Sequence, residues 1–113
     1  MHELSLCQNI VELMELEAKR QNFLSVKEVY LEIGSLACVE IEAMRFAFDA
    51  AVKGSVAEGA MLKMIEVEAM GYCRGCNLRQ KIVFRYDSCS VCANYPLEIV
   101  EGEQMKIRHL EVC

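Results

Sequence analysis

Two Cys-x-x-Cys knuckles, Cys73-Arg-Gly-Cys76 and Cys89-Ser-Val-Cys92, stand twelve residues apart in a chain of 113. Each knuckle puts two sulfurs on one side of a tight turn. Twelve residues suffice for a hairpin that carries the second knuckle opposite the first. The four thiolates can then occupy the corners of one tetrahedron, for which zinc is the usual ion. Iron in a rubredoxin-like site satisfies the same sequence. Two local disulfides, or one redox-active pair, are the competing uses of these cysteines.

Composition narrows the setting. Hydrophobic residues make up 54% of the chain, enough for a packed core. The net charge is −5 and the isoelectric point near 5.1, which disfavours a chain built to bind phosphates. The first residues, Met1-His2-Glu3, lack the basic start of a secretory signal, and no apolar run is long enough to cross a bilayer. A cytoplasmic protein is expected, with no membrane partner. In a reducing compartment the seven cysteines divide into four metal ligands and three others, Cys7, Cys38 and Cys113. Cys7 falls on the apolar stripe of an expected helix and reads as a small core residue. The two histidines, His2 and His109, have no cysteine beside them, so no Cys–His nucleophile pair is evident and no enzyme is expected.

The periodicities predict an α+β fold: a small mixed sheet of about three strands, two helices, and an inserted zinc-ribbon or rubredoxin-like module. Leu4, Cys7, Ile10, Val11, Met14 and Ala18 recur at helical spacing over residues 4–22. Val29, Leu31 and Ile33 alternate with Glu28, Tyr30 and Glu32 in a strand over 26–33. Ile41, Met44, Phe48 and Ala51 predict a second helix over 40–53, stopped by Gly54. A second strand is expected over 61–69 and a last one over 105–112, returning to the first sheet. The domain division that follows is 1–70 with 103–113 for the α+β part, and 71–102 for the metal module.

Within that module, Arg74, Arg79, Lys81 and Arg85 outnumber Asp87 and Glu98. This mild basic excess is where a nucleic-acid-binding zinc ribbon could begin. Phe84, Tyr86 and Tyr95 interleave with it, and a small module needs such residues for its minimal core. They are therefore expected inside.

The amino terminus offers a second set of metal donors. Initiator methionine is normally removed only before small residues, so His2 is expected to leave Met1 in place. The free amine, the His2 amide nitrogen and the His2 imidazole can form fused chelate rings. Deprotonated amides are strong in-plane donors that suit Ni(II) or Cu(II) and not zinc. Glu3 adds a backbone nitrogen and a carboxylate. The ordinary alternative is a solvated terminus with His2 near the helix start.

Several stretches together carry a resemblance. They are Met1-His-Glu-Leu-Ser-Leu-Cys7, Leu31-Glu-Ile-Gly34, Phe46-Ala-Phe-Asp49, Gly54-Ser-Val-Ala-Glu-Gly59 and the paired knuckles. In this order, over essentially the whole chain, they resemble the HypA/HybF family of hydrogenase nickel-incorporation proteins. The resemblance implies a nickel metallochaperone with two metal sites. Nickel would be the transported cargo, bound at Met1, His2 and Glu3. Zinc would be structural, held by Cys73, Cys76, Cys89 and Cys92. It implies a HypB-type GTPase and the [NiFe] hydrogenase large-subunit precursor as partners, with urease as a further client of some relatives. A homodimer stays open, and nucleic acid is not implied. Many relatives have a histidine beside a knuckle; here the neighbours are Asn77 and Ala93. An acidic residue near the start of the second helix can lie close to the nickel site in relatives. Glu40 is the matching position, where complementing the helix dipole is the alternative role. Two further functions stand beside this reading: a zinc ribbon that binds nucleic acid or protein, and an enzyme that uses a cysteine pair.

Overall fold

The computed structural model describes residues 3–113 in full and the helical backbone of residue 2. Among the described residues, two helices and six strands follow in the order α1 (His2–Gln21), β1 (Val26–Gly34), α2 (Ile41–Ala51), β2 (Met61–Val67), β3 (Met70–Cys73), β4 (Leu78–Lys81), β5 (Glu98–Glu101) and β6 (Met105–Val112). The chain divides into two compact units. One comprises Met1–Leu31, Val39–Met64 and Ile107–Cys113; the other comprises Glu32–Cys38 and Ile65–Lys106.

The first unit is built by the expected stripes, except that Leu4, expected on the α1 stripe, is exposed in the first turn of the helix, one turn before the buried run begins at Cys7. Cys7, Ile10, Met14 and Ala18 are buried along α1, and Met44, Ala47 and Phe48 along α2, against which α1 packs. Their three- and four-residue spacing puts each set on one helical face. Asn22, in the left-handed region at φ 60°, ends α1 as a short polar side chain can. In β1, Val29, Leu31 and Ile33 are buried while Glu28, Tyr30 and Glu32 are half-buried, the period-two pattern of a strand with one covered face. The strands pair in the order β2-β1-β6, so the last strand does return to the first sheet. The end of the chain is tied down. The Leu24 N–H donates to the Cys113 carbonyl at 2.8 Å, and the Cys113 N–H to the Ser25 carbonyl at 2.9 Å.

The second unit holds a sheet of order β4-β3-β5, with β3 antiparallel to both neighbours. Its core is small: Ala69, Cys73, Ile82, Cys89 and Leu97 are buried, with Leu36, Cys76, Leu78 and Ile99 packed on them. Two of the five central residues are knuckle cysteines. A core this small gains little from apolar burial alone, so cross-linking through the sulfurs has to supply the rest.

Local hydrogen bonds explain where the expected elements stop. β2 ends at Val67 and does not run on to residue 69, because Ala69 is buried in the second core. The Ala69 N–H donates to Ser35 Oγ at 3.1 Å, and the Ser35 N–H to the Val67 carbonyl at 2.9 Å. Gly102 closes this crossing. At φ 83° it lies so near Ala69 that a Cβ would come within 2.4 Å of the Ala69 Cα, and a Cβ on Gly34 would come within 2.2 Å of the Gly102 carbonyl oxygen. Backbone meets backbone here, with no room for a side chain.

The aromatic residues of the second unit overturn an expectation. Phe84, Tyr86 and Tyr95 are exposed at 70%, 67% and 60% and form none of its core. The Asp87 carboxylate accepts the Val83 N–H at 2.7 Å and the Phe84 N–H at 3.0 Å, while the Asp87 N–H donates to the Phe84 carbonyl. The resulting closed turn spends its backbone on Asp87 and leaves Phe84 at the surface. The aliphatic residues Ile82 and Leu97 fill the interior instead.

Candidate metal centre

The knuckles come together as their spacing requires. Cys73 ends β3 and Cys76 follows in the turn to β4; Cys89 and Cys92 lie in the segment between β4 and β5. The four Sγ atoms lie within 4.8 Å of one another, with Cys73–Cys92 at 3.6 Å and Cys76–Cys89 at 4.0 Å. A tetrahedron with metal–sulfur bonds of about 2.3 Å has edges of about 3.8 Å, so these separations fit a zinc ion. A disulfide needs sulfurs about 2.05 Å apart, and all seven cysteines are free.

Backbone geometry makes each knuckle a sulfur cradle. In the first, the Cys76 and Gly75 N–H groups point at Cys73; in the second, the Cys92 and Val91 N–H groups point at Cys89. These donors hold the Cys73 thiol below its usual range. They also bring Cys89 down to about 6, with the Gln80 side chain adding to the effect. Cys76 is pushed up to about 12, chiefly by its hydrogen bond with the Cys92 sulfur, which favours its protonated form, and then by burial. Backbone N–H groups thus favour the thiolate form at the first cysteine of each knuckle, and a divalent ion displaces protons from the sulfurs on binding.

Each knuckle closes on a residue in the left-handed region, Asn77 at φ 54° and Ala93 at φ 61°. Asn77 is held by the Tyr72 hydroxyl, which donates to its Oδ1 at 2.7 Å. Ala93 has no polar side chain to compensate, and its conformation costs about 1–2 kcal/mol relative to an ordinary one.

Arg74, Arg79, Lys81 and Arg85, the basic residues expected to give this module its positive face, are each paired with a carboxylate. Arg74 pairs with Glu98 at 2.9 Å, Arg79 with Glu101 at 3.2 Å, Lys81 with Glu68 at 3.0 Å, and Arg85 with Glu103. Each cation already faces a carboxylate, which removes the electrostatic footprint that a nucleic-acid reading needs.

At the other end of the chain, Met1 and the side chain of His2 lie outside the described residues. Glu3 stands in the first turn of α1. Its Oε2 accepts the Glu40 N–H at 3.2 Å, and Glu40 Oε1 accepts the Glu42 N–H at 3.0 Å as the N-cap of α2. The Glu40 N–H, and then its own backbone N–H, hold the Glu3 carboxyl below the usual glutamate range.

Residues 1–112 match the family model described as "Hydrogenase/urease nickel incorporation, metallochaperone, hypA". The chain belongs to the HypA family. It is 46% identical over 112 residues to the hydrogenase maturation factor HypA of Azotobacter chroococcum mcd 1, and 42% identical to that of Azotobacter vinelandii, covering 99% of both chains in each case. A solution structure of the Ni metallochaperone HypA from Helicobacter pylori superposes with a TM-score of 0.79 at 24% identity, over 99% of this chain and 97% of that one, and shows the same fold.

In this HypA-family chain the remaining cysteines and histidine stand apart from the metal centre. Cys7 is buried, its Sγ 3.7 Å from both the Met44 carbonyl and the Met44 Sδ, and burial pushes its thiol to about 11. Cys38 and Cys113 are exposed. His109 stacks on Tyr30 with ring centroids 4.0 Å apart, and its Nε2 lies 3.5 Å from Glu111. Among the described residues, no group of three or more metal-donor side chains converges except the four cysteines. Sequence reasoning missed two residues that touch the sulfurs, Gln80 and Asn94, because no spacing rule marks a neutral amide as a metal-site neighbour. It also missed Glu3 as the partner of Glu40, since the two are 37 positions apart.

Proposed function

We propose that this chain is a nickel metallochaperone for hydrogenase maturation, without catalysis of its own. Ni(II) binds at the amino terminus through the Met1 amine, the backbone nitrogens of the first residues and the His2 imidazole. Zinc is structural, held by Cys73, Cys76, Cys89 and Cys92. Membership of a nickel-incorporation family is the observation that carries the reading. Two physical points support it. A closed four-sulfur site holds its ion too firmly to release cargo. The Glu3–Glu40 hydrogen bond anchors the first turn of α1 on α2, so a site at Met1–Glu3 has a fixed base.

The mechanism is ligand exchange. A tetragonal site made of terminal and backbone nitrogens is open above and below its plane, and an incoming donor can enter there. The receiving proteins are a HypB-type GTPase and the large-subunit precursor of [NiFe] hydrogenase. Pull-down of the nickel-loaded chain with each of these tests the delivery step. Association with at least one is expected; association with neither, with or without nickel, contradicts it.

A further inference from the structure

Two neutral side chains contact the sulfurs, and they do so reciprocally. Gln80, on β4 after the first knuckle, donates from Nε2 to the Sγ of Cys89 in the second knuckle at 3.4 Å. Asn94, just after the second knuckle, donates from Nδ2 to the Sγ of Cys73 in the first at 3.8 Å. Gln80 Oε1 also accepts the Ser90 N–H at 2.9 Å. That contact fixes the sense of the amide: only its oxygen can meet an N–H, so its nitrogen is the atom turned to sulfur. The Asn94 backbone is anchored too, since its main-chain carbonyl accepts the Cys89 N–H at 2.9 Å. Gly75 makes the space, because a Cβ there would come within 2.6 Å of Asn94 Nδ2.

We propose that Gln80 and Asn94 act as a reciprocal amide clamp that fixes the four sulfurs for a tetrahedral ion and so keeps the nickel cargo out of the zinc site. The part concerning nickel rests on the function proposed above. Four thiolates around a divalent ion carry a net charge of −2. The nearby cations are engaged with carboxylates, so amide and backbone N–H groups are the donors that offset this charge. Zinc has no geometric preference from its d electrons, whereas Ni(II) favours a square plane. Flattening the site requires the knuckles to turn against each other. Each amide ties the first cysteine of one knuckle to the chain that follows the other, so this rotation breaks both contacts. Gln80 and Asn94 are positioning residues: they touch the ligands and not the ion.

The test uses the full chain with His2→Ala in every arm, so that it reads the thiolate site alone. Its outcome is then separate from whether nickel binds the terminus. Zinc-loaded parent, Gln80→Glu, Asn94→Asp and the double alanine variant are titrated with Ni(II) in the presence of a zinc indicator dye. The parent is expected to keep its zinc. The clamp variants are expected to lose it about 10–100-fold more readily, in line with outer-shell substitutions elsewhere, and to gain sulfur-to-nickel charge-transfer absorption. With Co(II) in the site, loss of N–H···S bonds should move the sulfur-to-cobalt band to lower energy, which a purely structural change would not do. Gln80→Glu keeps the oxygen that meets Ser90 and carries the test if the double variant does not fold. Variants that hold zinc and refuse nickel as the parent does, with an unmoved cobalt spectrum, overturn the proposal. Zinc loss without nickel entry overturns the discrimination between the two metals.

Discussion

The Glu40 N–H donates to Glu3 Oε2 at 3.2 Å, joining the first turn of α1 to the N-cap of α2. The sequence puts Glu3 beside the proposed nickel site and the family resemblance puts Glu40 near it, but nothing in the sequence links the two residues to each other. The contact occupies a Glu3 oxygen and the Glu40 main chain, while the Glu40 side chain caps its own helix through the Glu42 N–H.

Glu3→Gln is therefore expected to weaken nickel binding modestly while leaving zinc content and fold unchanged. Because the Glu3 carboxyl lies below its usual range, its contribution is complete above about pH 4.3 and disappears as pH falls through the depressed value. Between pH 6 and 9 it is constant. The rise of nickel affinity over that window should thus keep the same slope in Glu3→Gln, since it comes from His2, the terminal amine and amide deprotonation. Isothermal titration across this range checks it.

Removing zinc should unfold one unit and spare the other. Cys73 and Cys89 are two of the five residues at the centre of the second core, so Cys89→Ser removes a ligand and a core residue together. Zinc content should fall to zero and amide signals of 65–106 should collapse toward random-coil shifts. The signals of α1 and α2 should stay dispersed, because Cys7, Met14, Met44 and Phe48 are untouched. A two-dimensional NMR spectrum with and without a chelator reads both.

Ala93→Gly should stabilise the metal module. Relief of the left-handed alanine is worth about 1–2 kcal/mol, offset by the greater freedom of glycine in the unfolded chain, which leaves about 0.5–1 kcal/mol. Slower zinc loss to a chelator is the expected readout. Asn77→Gly should gain less, since it forfeits the Tyr72 hydroxyl.

The cysteines should separate by reactivity. On the zinc-loaded protein at pH 8, alkylation is expected at the exposed Cys38 and Cys113 and absent at Cys7, whose thiol stays protonated until about pH 11. Mass spectrometry of the alkylated peptides decides this.

What was legible followed from periodicity and spacing. The Cys7–Ile10–Met14 and Met44–Phe48 stripes located both helices to within two residues, and the knuckle spacing predicted the four-sulfur cluster. What was not legible depended on contacts between distant residues. The aromatic residues of the second unit were expected inside because small modules need bulk. Asp87 instead closes a turn that puts Phe84 outside, and the cysteines share the core with Ile82 and Leu97. Phe84→Ser should accordingly shift stability by no more than about 0.5 kcal/mol, against about 3–5 kcal/mol for Phe48→Ala in the first unit. Gln80 and Asn94 escaped for a related reason: an amide announces no chemistry until it stands beside a sulfur.

Nickel binding to the His2→Ala chain tests the central claim most directly. Purified protein, zinc-loaded, is titrated with Ni(II) beside the parent, a chain extended by one residue before Met1, and His109→Ala. Loss of nickel binding in His2→Ala, weakening in the extended chain, no change in His109→Ala and one zinc retained throughout are the expected results. Undiminished nickel affinity in His2→Ala would contradict the account.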